Sequence, residues 1–447
     1  MVIQKPYEPW LEGLLPPEPI QPTPTEREDL AQQLMIAEPN AFVSEGALTL
    51  RELGWRGQTS LIPDGESAIT ALVMGPNGRL YGGTSGEKAH LFVYNPSAAA
   101  GGALARPLDL GILGEEERVC RSLVALEDAL YAGTMSDHLE GYRGGHLYRH
   151  RFSAEAPQPF DPHGVPMFPF DPEAGPQVED LGIPVEGEGI YALAGDAEGE
   201  LLYGLTYPGA RFFVYSLRDG CARIMEQVSQ RNLSRTLIRA GNGHVYGSGD
   251  YGTLFRYRPE FDRIELTDLR LPAVRGREYL NGLDSVAVAP DGTIYGGTIA
   301  DGYLFRFDPY RERIVNLGKP IRQSRIRALV VAPDGRVYGF AGEQDNVGRL
   351  FVYMPAGGEM RELGIPRVGG VPKFWAGYEF ESMATGPSGE IFMGESDRVS
   401  HLFIYYPPLP LSPPIEKGDY RKEAWRPNSD GPFGSVNAAI VATQSQE

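Results

Sequence analysis

ITALVMGPNGRLYGGTSGEKAHLFVYNP, residues 69–96, decides the fold. It reads as an apolar run, a Pro-Asn-Gly turn, a second run closing on Gly-Gly-Thr, a short loop, and a third run, Leu-Phe-Val-Tyr. Triplets of this kind favour tight hairpins, because Pro presets one backbone angle and Gly accepts a positive φ. The phrase returns as LDSVAVAPDGTIYGGTIADGYLFRFDP at 283–309 and as IRALVVAPDGRVYGFAGEQDNVGRLFVYMP at 326–355, with weaker copies starting near Cys120, Ile190, Ser234 and Glu381.

The aromatic of the second run falls at Tyr81, Tyr131, Tyr203, Tyr246, Tyr295, Tyr338 and Phe392, a mean step of about 52 residues and close to propeller-blade periods. The third run recurs as LFVY (91–94), LYRH (147–150), FFVY (212–215), LFRY (254–257), LFRF (304–307), LFVY (350–353) and LFIY (402–405). A fourth run follows most copies, as in PLDLGI (107–112), VEDLGI (178–183), RIVNLG (313–318) and MRELGI (360–365), but nothing like it follows residue 405. LTLRELG at 48–54 precedes the first full copy and supplies the missing strand. The expected fold is therefore all-β: a seven-bladed β-propeller over residues 45–410, four antiparallel strands per blade, with an N-terminal strand completing the last blade. Such a clasp leaves no open edge between first and last blades; an open solenoid gives no reason to split one repeat between the ends. Residues 1–44 form a Pro-rich N-terminal extension with one helical candidate, Glu26–Ile36, and residues 411–447 a polar C-terminal tail.

The chain has 447 residues, with 56 Gly and 38 Pro, too ordered a pattern for a low-complexity protein. Its 41 Lys plus Arg stand against 59 Asp plus Glu, a net charge of −18, so its field repels polyanions and argues against nucleic acid or an anionic membrane as a partner. No apolar run reaches bilayer length and the start lacks a signal-peptide core, which reads as a soluble, cytoplasmic protein. Cys120 and Cys221 are the two cysteines; they are expected to be inert buried thiols, with no disulfide or Cys-rich zinc framework.

Two positions in each repeat reach the mouth of a propeller. The first, where the innermost strand begins, reads Thr70, Arg121, Tyr191, Arg235, Asp284, Arg327 and Glu381 around the ring. Packing requires none of these charges. Three arginines near one axis need an anion or the two acids to offset them, and a guanidinium suits a carboxylate. An anionic ligand and an internal Arg–carboxylate network are the two readings. The second position, before the third strand, reads His90, His146, Arg211, Thr253, Tyr303, Arg349 and His401. The three histidines belong to neighbouring blades, and blade two adds the loop TMSDHLEGYRGGH (134–146) with Tyr142 and Arg143. They can serve as proton-transfer groups or only bond a neighbouring turn. A divalent metal on three histidines is an alternative; otherwise no metal or cofactor is expected. The loop 364–381 carries Lys373, Phe374, Trp375 and Tyr378, a stacking platform for a sugar ring or a loop packed on itself. The insertion Ser153–Gln177 belongs to the opposite face.

With its GT-x-HLFxY blade pattern, the chain resembles seven-bladed carbohydrate-active propellers, the lyases and rhamnosidases of uronate-containing glycans. The resemblance implies His, Tyr and Arg at the mouth, here His90, His146, Tyr142 and Arg121, and an acidic oligosaccharide or small anionic ligand as partner. The implied chemistry is β-elimination: Arg121 with Arg235 clamps the carboxylate, His146 or His90 removes the adjacent proton, and Tyr142 or Tyr207 protonates the leaving oxygen. Arg327, Tyr191, Arg143, Trp375, Tyr378, His401 and Glu381 complete the expected binding surface. Glycoside hydrolysis and noncatalytic binding of a protein or anionic ligand are the alternatives.

Overall fold

The computed structural model describes residues 41–53, 62–96, 107–137, 140–152, 178–322, 325–342, 347–370, 373–397 and 399–408. The helical candidate Glu26–Ile36, the insertion Ser153–Gln177, His138 and the C-terminal tail lie outside them. The first repeat folds as Ala68–Met74, Leu80–Ser85, His90–Tyr94 and Leu108–Ile112, joined antiparallel in sequence order. It shares an eight-stranded sheet with the second repeat, the two touching through one pair, Ser85 with Val119, and otherwise separating into two four-stranded units; five further sheets have four strands each, which brings the described units of this type to seven. The seventh blade takes its outer strand from the N-terminal side, Ala47–Glu52 pairing antiparallel with His401–Tyr406.

The hydrophobic residues pack between blades rather than within them. Seven buried clusters each join two successive blades, and the one formed by Ile69, Leu80 and Phe92 with Phe392, Leu402 and Ile404 joins last to first. Each fully buried Leu or Phe contributes about 1.5–3 kcal/mol. Hydrogen bonds close the same ring at its centre: the Ser382 hydroxyl donates to Ile69 O at 3.3 Å, and that of Thr70 to Cys120 O at 2.7 Å. The fold is a β-propeller.

The repeated Tyr-Gly of the second strand and Leu-Phe of the third have one cause. Gly82, Gly204, Gly247, Gly296 and Gly339 lie directly opposite Phe92, Phe213, Phe255, Phe305 and Phe351, and each phenyl ring occupies the space a Cβ would take. Gly296→Ala would drive a methyl into the Phe305 ring. We expect a loss of about 1–3 kcal/mol, measured by chemical denaturation, which Phe305→Leu in the same chain should partly restore.

In six blades the inner strand bulges at one repeat position. The register shifts at Thr70, Arg121, Tyr191, Asp284, Arg327 and Glu381. A bulge leaves one residue out of the ladder and turns its side chain off the regular alternation. In the fourth blade Arg235 precedes the short inner strand Ile238–Arg239, and its N–H bonds Leu283 O at 3.1 Å. The fold therefore gathers these unlike side chains around the centre of the ring.

Candidate functional site

Arg121, Tyr191, Arg235, Asp284, Arg327 and Glu381 meet there, joined by Arg325 and Glu379. Asp284 has a fully buried side chain, gripped by Arg235 Nε at 2.8 Å and by both Nε and Nη2 of Arg325 at 3.0 Å. Glu381 takes Arg327 Nη1 at 2.8 Å, Arg235 Nη2 at 3.1 Å and Arg121 Nη2 at 3.4 Å. Arg327 Nη1 also bonds Glu379, and its Nε donates to Gly342 O at 3.1 Å. Burial alone would raise the Glu381 carboxyl; Arg121, Arg327 and Arg325 outweigh it and hold it below the ordinary range. Burial likewise opposes the charge of Arg325, and Asp284 more than restores it.

Among the described residues four guanidiniums thus face three carboxylates, and members of both signs remain partly open: the side chains of Arg325, Arg121, Arg235, Glu379 and Glu381 are 20%, 15%, 14%, 15% and 13% exposed, whereas Arg327 and Asp284 are closed off. Arg121 is the least committed of the four guanidiniums, with a single 3.4 Å carboxylate contact among the described residues. Its Cζ sits 5.1 Å from the centroid of the Tyr191 ring, which stacks on Tyr207 at 6.0 Å. Arg325 and Glu379 were not singled out in the sequence reading. Their signal is the alternation in Arg-Ile-Arg (325–327) and Glu-Phe-Glu (379–381), since residues two apart on a strand share a face.

The three histidines do not join this cluster. His90 and His401 begin a third strand, His146 immediately precedes one, and each closes onto an acid of its own blade. His90 Nδ1 meets Asp109 at 3.0 Å and its Nε2 meets Glu66 at 2.7 Å. His146 Nδ1 meets Asp180 at 2.9 Å, and His401 Nδ1 meets Glu395 at 3.0 Å. Arg211 and Arg349 repeat the device with Glu188 and Glu362. The Gly-Thr before the loop belongs to the same construction: the hydroxyls of Thr84, Thr134 and Thr206 accept the N–H of His90, His146 and Arg211 at 3.0 Å each. Asp109 and Asp180 are the Asp of the Asp-Leu-Gly runs, a repeated signal that names the partners. Among the described residues no group of three or more His, Cys, Asp or Glu is arranged to hold a metal.

His146 is the most open of the three. Its ring stacks on Tyr148 at 5.9 Å, and its Nε2 makes no hydrogen bond among the described residues. Beside it the Tyr142 hydroxyl donates to Glu117 at 2.8 Å. Burial raises the Glu117 carboxyl above its ordinary range, against the bonds from Thr134 and Tyr142. Arg143 is exposed, and its carbonyl accepts from Gly187 N at 2.7 Å.

The loop 364–381 contains a small hairpin, Arg367–Gly370 with Lys373–Ala376. Trp375 donates its indole N–H to Glu395 at 3.0 Å and meets the His401 ring edge-on at 4.5 Å, so the indole is half-buried structure. Tyr378 packs with Phe42 and Ile365. Cys120 is buried, its thiol pushed up by that burial, whereas Cys221 is exposed, contrary to the expectation for both: it opens the outermost strand of its blade, where no neighbouring blade covers it.

The His90 contacts fix a pH response. Burial would lower its pKa, but Asp109 and Glu66 overcome this and raise it. A raised folded value contributes stability that is complete below the unfolded value near 6.5 and lost as pH rises through the folded one. His90→Gln should therefore lose more stability, relative to the parent, at pH 6 than at pH 9 in denaturant titrations; equal losses would refute a charged His90.

The fold and the site define a β-propeller with a charged axial cluster. Solved structures agree on the fold. A streptogramin B lyase structure superposes with a TM-score of 0.57 at 8% identity, covering 80% of this chain and 98% of that one. A catalytically inactive virginiamycin B lyase from Staphylococcus aureus with quinupristin gives 0.53 at 9% identity, over 80% and 99% of the two chains. The extracellular domain of the BT4673 one component system from B. thetaiotaomicron gives 0.51 at 16%, over 80% of this chain and 40% of that one. At these identities the likeness is one of fold. No family model and no curated protein sequence matches the chain. Among the described residues no helix is long and apolar enough to cross a membrane.

Proposed function

We propose that the propeller binds a small carboxylate-bearing ligand at its axial cluster, with Arg121 as the hand that takes the carboxylate. The observation that carries this is the charge count among the described residues: Arg121, Arg235, Arg325 and Arg327 against Asp284, Glu379 and Glu381, with Arg121 partly open and held by one long carboxylate contact. One monoanion completes the balance, and a carboxylate fits the unused donors of a guanidinium. The stacked Tyr191 and Tyr207 supply a wall for the ring that carries it.

The finer reading is elimination from a uronate-containing oligosaccharide, and His146 favours it. Thr134 pairs with Cys120, next to Arg121, and bonds the start of His146, so the two residues belong to the first and third strands of one blade, with backbones roughly 10 Å apart by strand spacing. Arg121 would offset the carboxylate charge and make the neighbouring C–H more acidic. His146 Nε2 would take that proton while Asp180 holds Nδ1, and the electron pair forms the double bond as the C–O bond breaks. Tyr142 or Tyr207 would protonate the departing oxygen. The lyase names among the structural neighbours support the class, not the substrate. Glucuronate-containing disaccharides, followed by the ultraviolet absorbance of an unsaturated product, test the elimination: His146→Asn should abolish product while leaving glucuronate binding intact. Product formed equally by His146→Asn removes that residue, and binding without product in the parent leaves a binding propeller.

A further inference from the structure

A second cleft lies in the fourth blade, away from the axial cluster, with a volume of about 640 Å³, a size that takes a small molecule. Tyr251, Tyr279, Leu266, Arg270, Asp250 and Glu278 line it. Tyr251 has φ 59° and ψ 27°, in the left-handed region, which a bulky non-glycine residue rarely adopts and which marks functional sites when the surroundings impose it. Here they do. The Asp250 carboxylate accepts from the Ser229 hydroxyl at 2.6 Å, Arg231 N at 2.8 Å and Gln230 N at 3.0 Å, and the Thr253 hydroxyl donates back to Asp250 O at 2.7 Å.

The turn so held stands the Tyr251 ring out of the wall, half-exposed, with the Arg231 guanidinium 5.5 Å from its centroid. Tyr279 is also half-exposed, placed by Asn232, whose amide donates to Tyr279 O at 2.8 Å. Neither phenol makes a hydrogen bond among the described residues. Leu266, on the outermost strand Arg263–Arg270, is 75% exposed and forms an apolar side of the cleft. The lining sets Asp250 and Glu278 against Arg270, with Arg231 beside the Tyr251 ring, so this cleft, unlike the axis, has no excess positive charge with which to select an anion. Two open aromatic faces, an apolar wall and a rim of hydrogen-bonding groups match a ring with a C–H face and hydroxyls around it. We infer that the fourth-blade cleft binds a short neutral oligosaccharide, independently of the axial ligand.

Cellotriose, maltotriose and mannotriose are the probes, read by saturation-transfer NMR and titration calorimetry. At least one should bind, and Tyr251→Gly should weaken it tenfold or more. Because glycine accepts this φ without strain, Tyr251→Gly should keep or raise Tm, which separates loss of the ring from loss of the fold. Arg121→Ala should leave the neutral sugar bound. Failure of all three sugars to bind, binding that survives Tyr251→Gly, or loss in Arg121→Ala instead would each overturn the assignment.

Discussion

Glu381→Ala is expected to lower the free energy of unfolding by about 3–5 kcal/mol, the range for removing one partner of a buried ion pair. The side chain accepts from Arg327, Arg235 and Arg121, which come from three different blades. Its removal leaves those guanidiniums facing one another around Asp284 and Glu379, raising the excess positive charge from one to two in a site where water offers little screening. Glu362→Ala serves as the contrast: its partner Arg349 lies on the blade surface, where exposed pairs contribute about 1 kcal/mol or less. Guanidinium unfolding of both variants decides the matter, and equal losses would show that the axial pairs are no more than surface pairs. The acid limb adds a sign. A lowered carboxyl contributes stability that is present above the unfolded value and is lost as pH falls through the folded one, so Glu381→Ala should show a shallower loss of stability toward low pH than the parent.

The second large effect is expected in binding. Arg121→Ala should weaken a carboxylate ligand by roughly 10- to 100-fold, the equivalent of losing charge-assisted hydrogen bonds, with little change in stability. The two effects separate because Arg121 contributes one long contact to Glu381, while Arg235 and Arg327 still hold that carboxylate. The variant also brings the cluster to three charges of each sign, which removes the reason for an anion to enter. Stability lost in Glu381→Ala and affinity lost in Arg121→Ala would assign the acid to the fold and the arginine to the ligand.

Most of this architecture was legible in the residues. The Tyr-Gly and Leu-Phe runs repeat because a glycine under a phenyl ring is needed in blade after blade, and the split repeat at residues 48–54 and 402–405 pointed directly to the clasp. Position in the repeat also led to Arg121, Tyr191, Arg235, Asp284, Arg327 and Glu381, since one bulge recurs in the inner strand. What position cannot reveal is which partner each side chain chooses. His90, His146 and His401 share a slot with the arginines' face of the ring, yet their neighbours across the blade are Asp109, Asp180 and Glu395, closer than anything at the axis. Arg325 and Glu379 escaped notice because an alignment on one column hides the residues two places away. Tyr251 escaped because a left-handed turn has no signature when it is not built on glycine.

Equilibrium titration of D-glucuronate and of D-glucose, into the parent chain and into Arg121→Ala, tests the central claim most directly. The charge imbalance at the axis predicts one glucuronate per parent molecule, no heat from glucose at that site, and at least a tenfold weaker glucuronate isotherm in Arg121→Ala. Identical isotherms for the two proteins, or glucose binding as well as glucuronate at the axis, would contradict it and leave the arginines and carboxylates as a wholly internal brace.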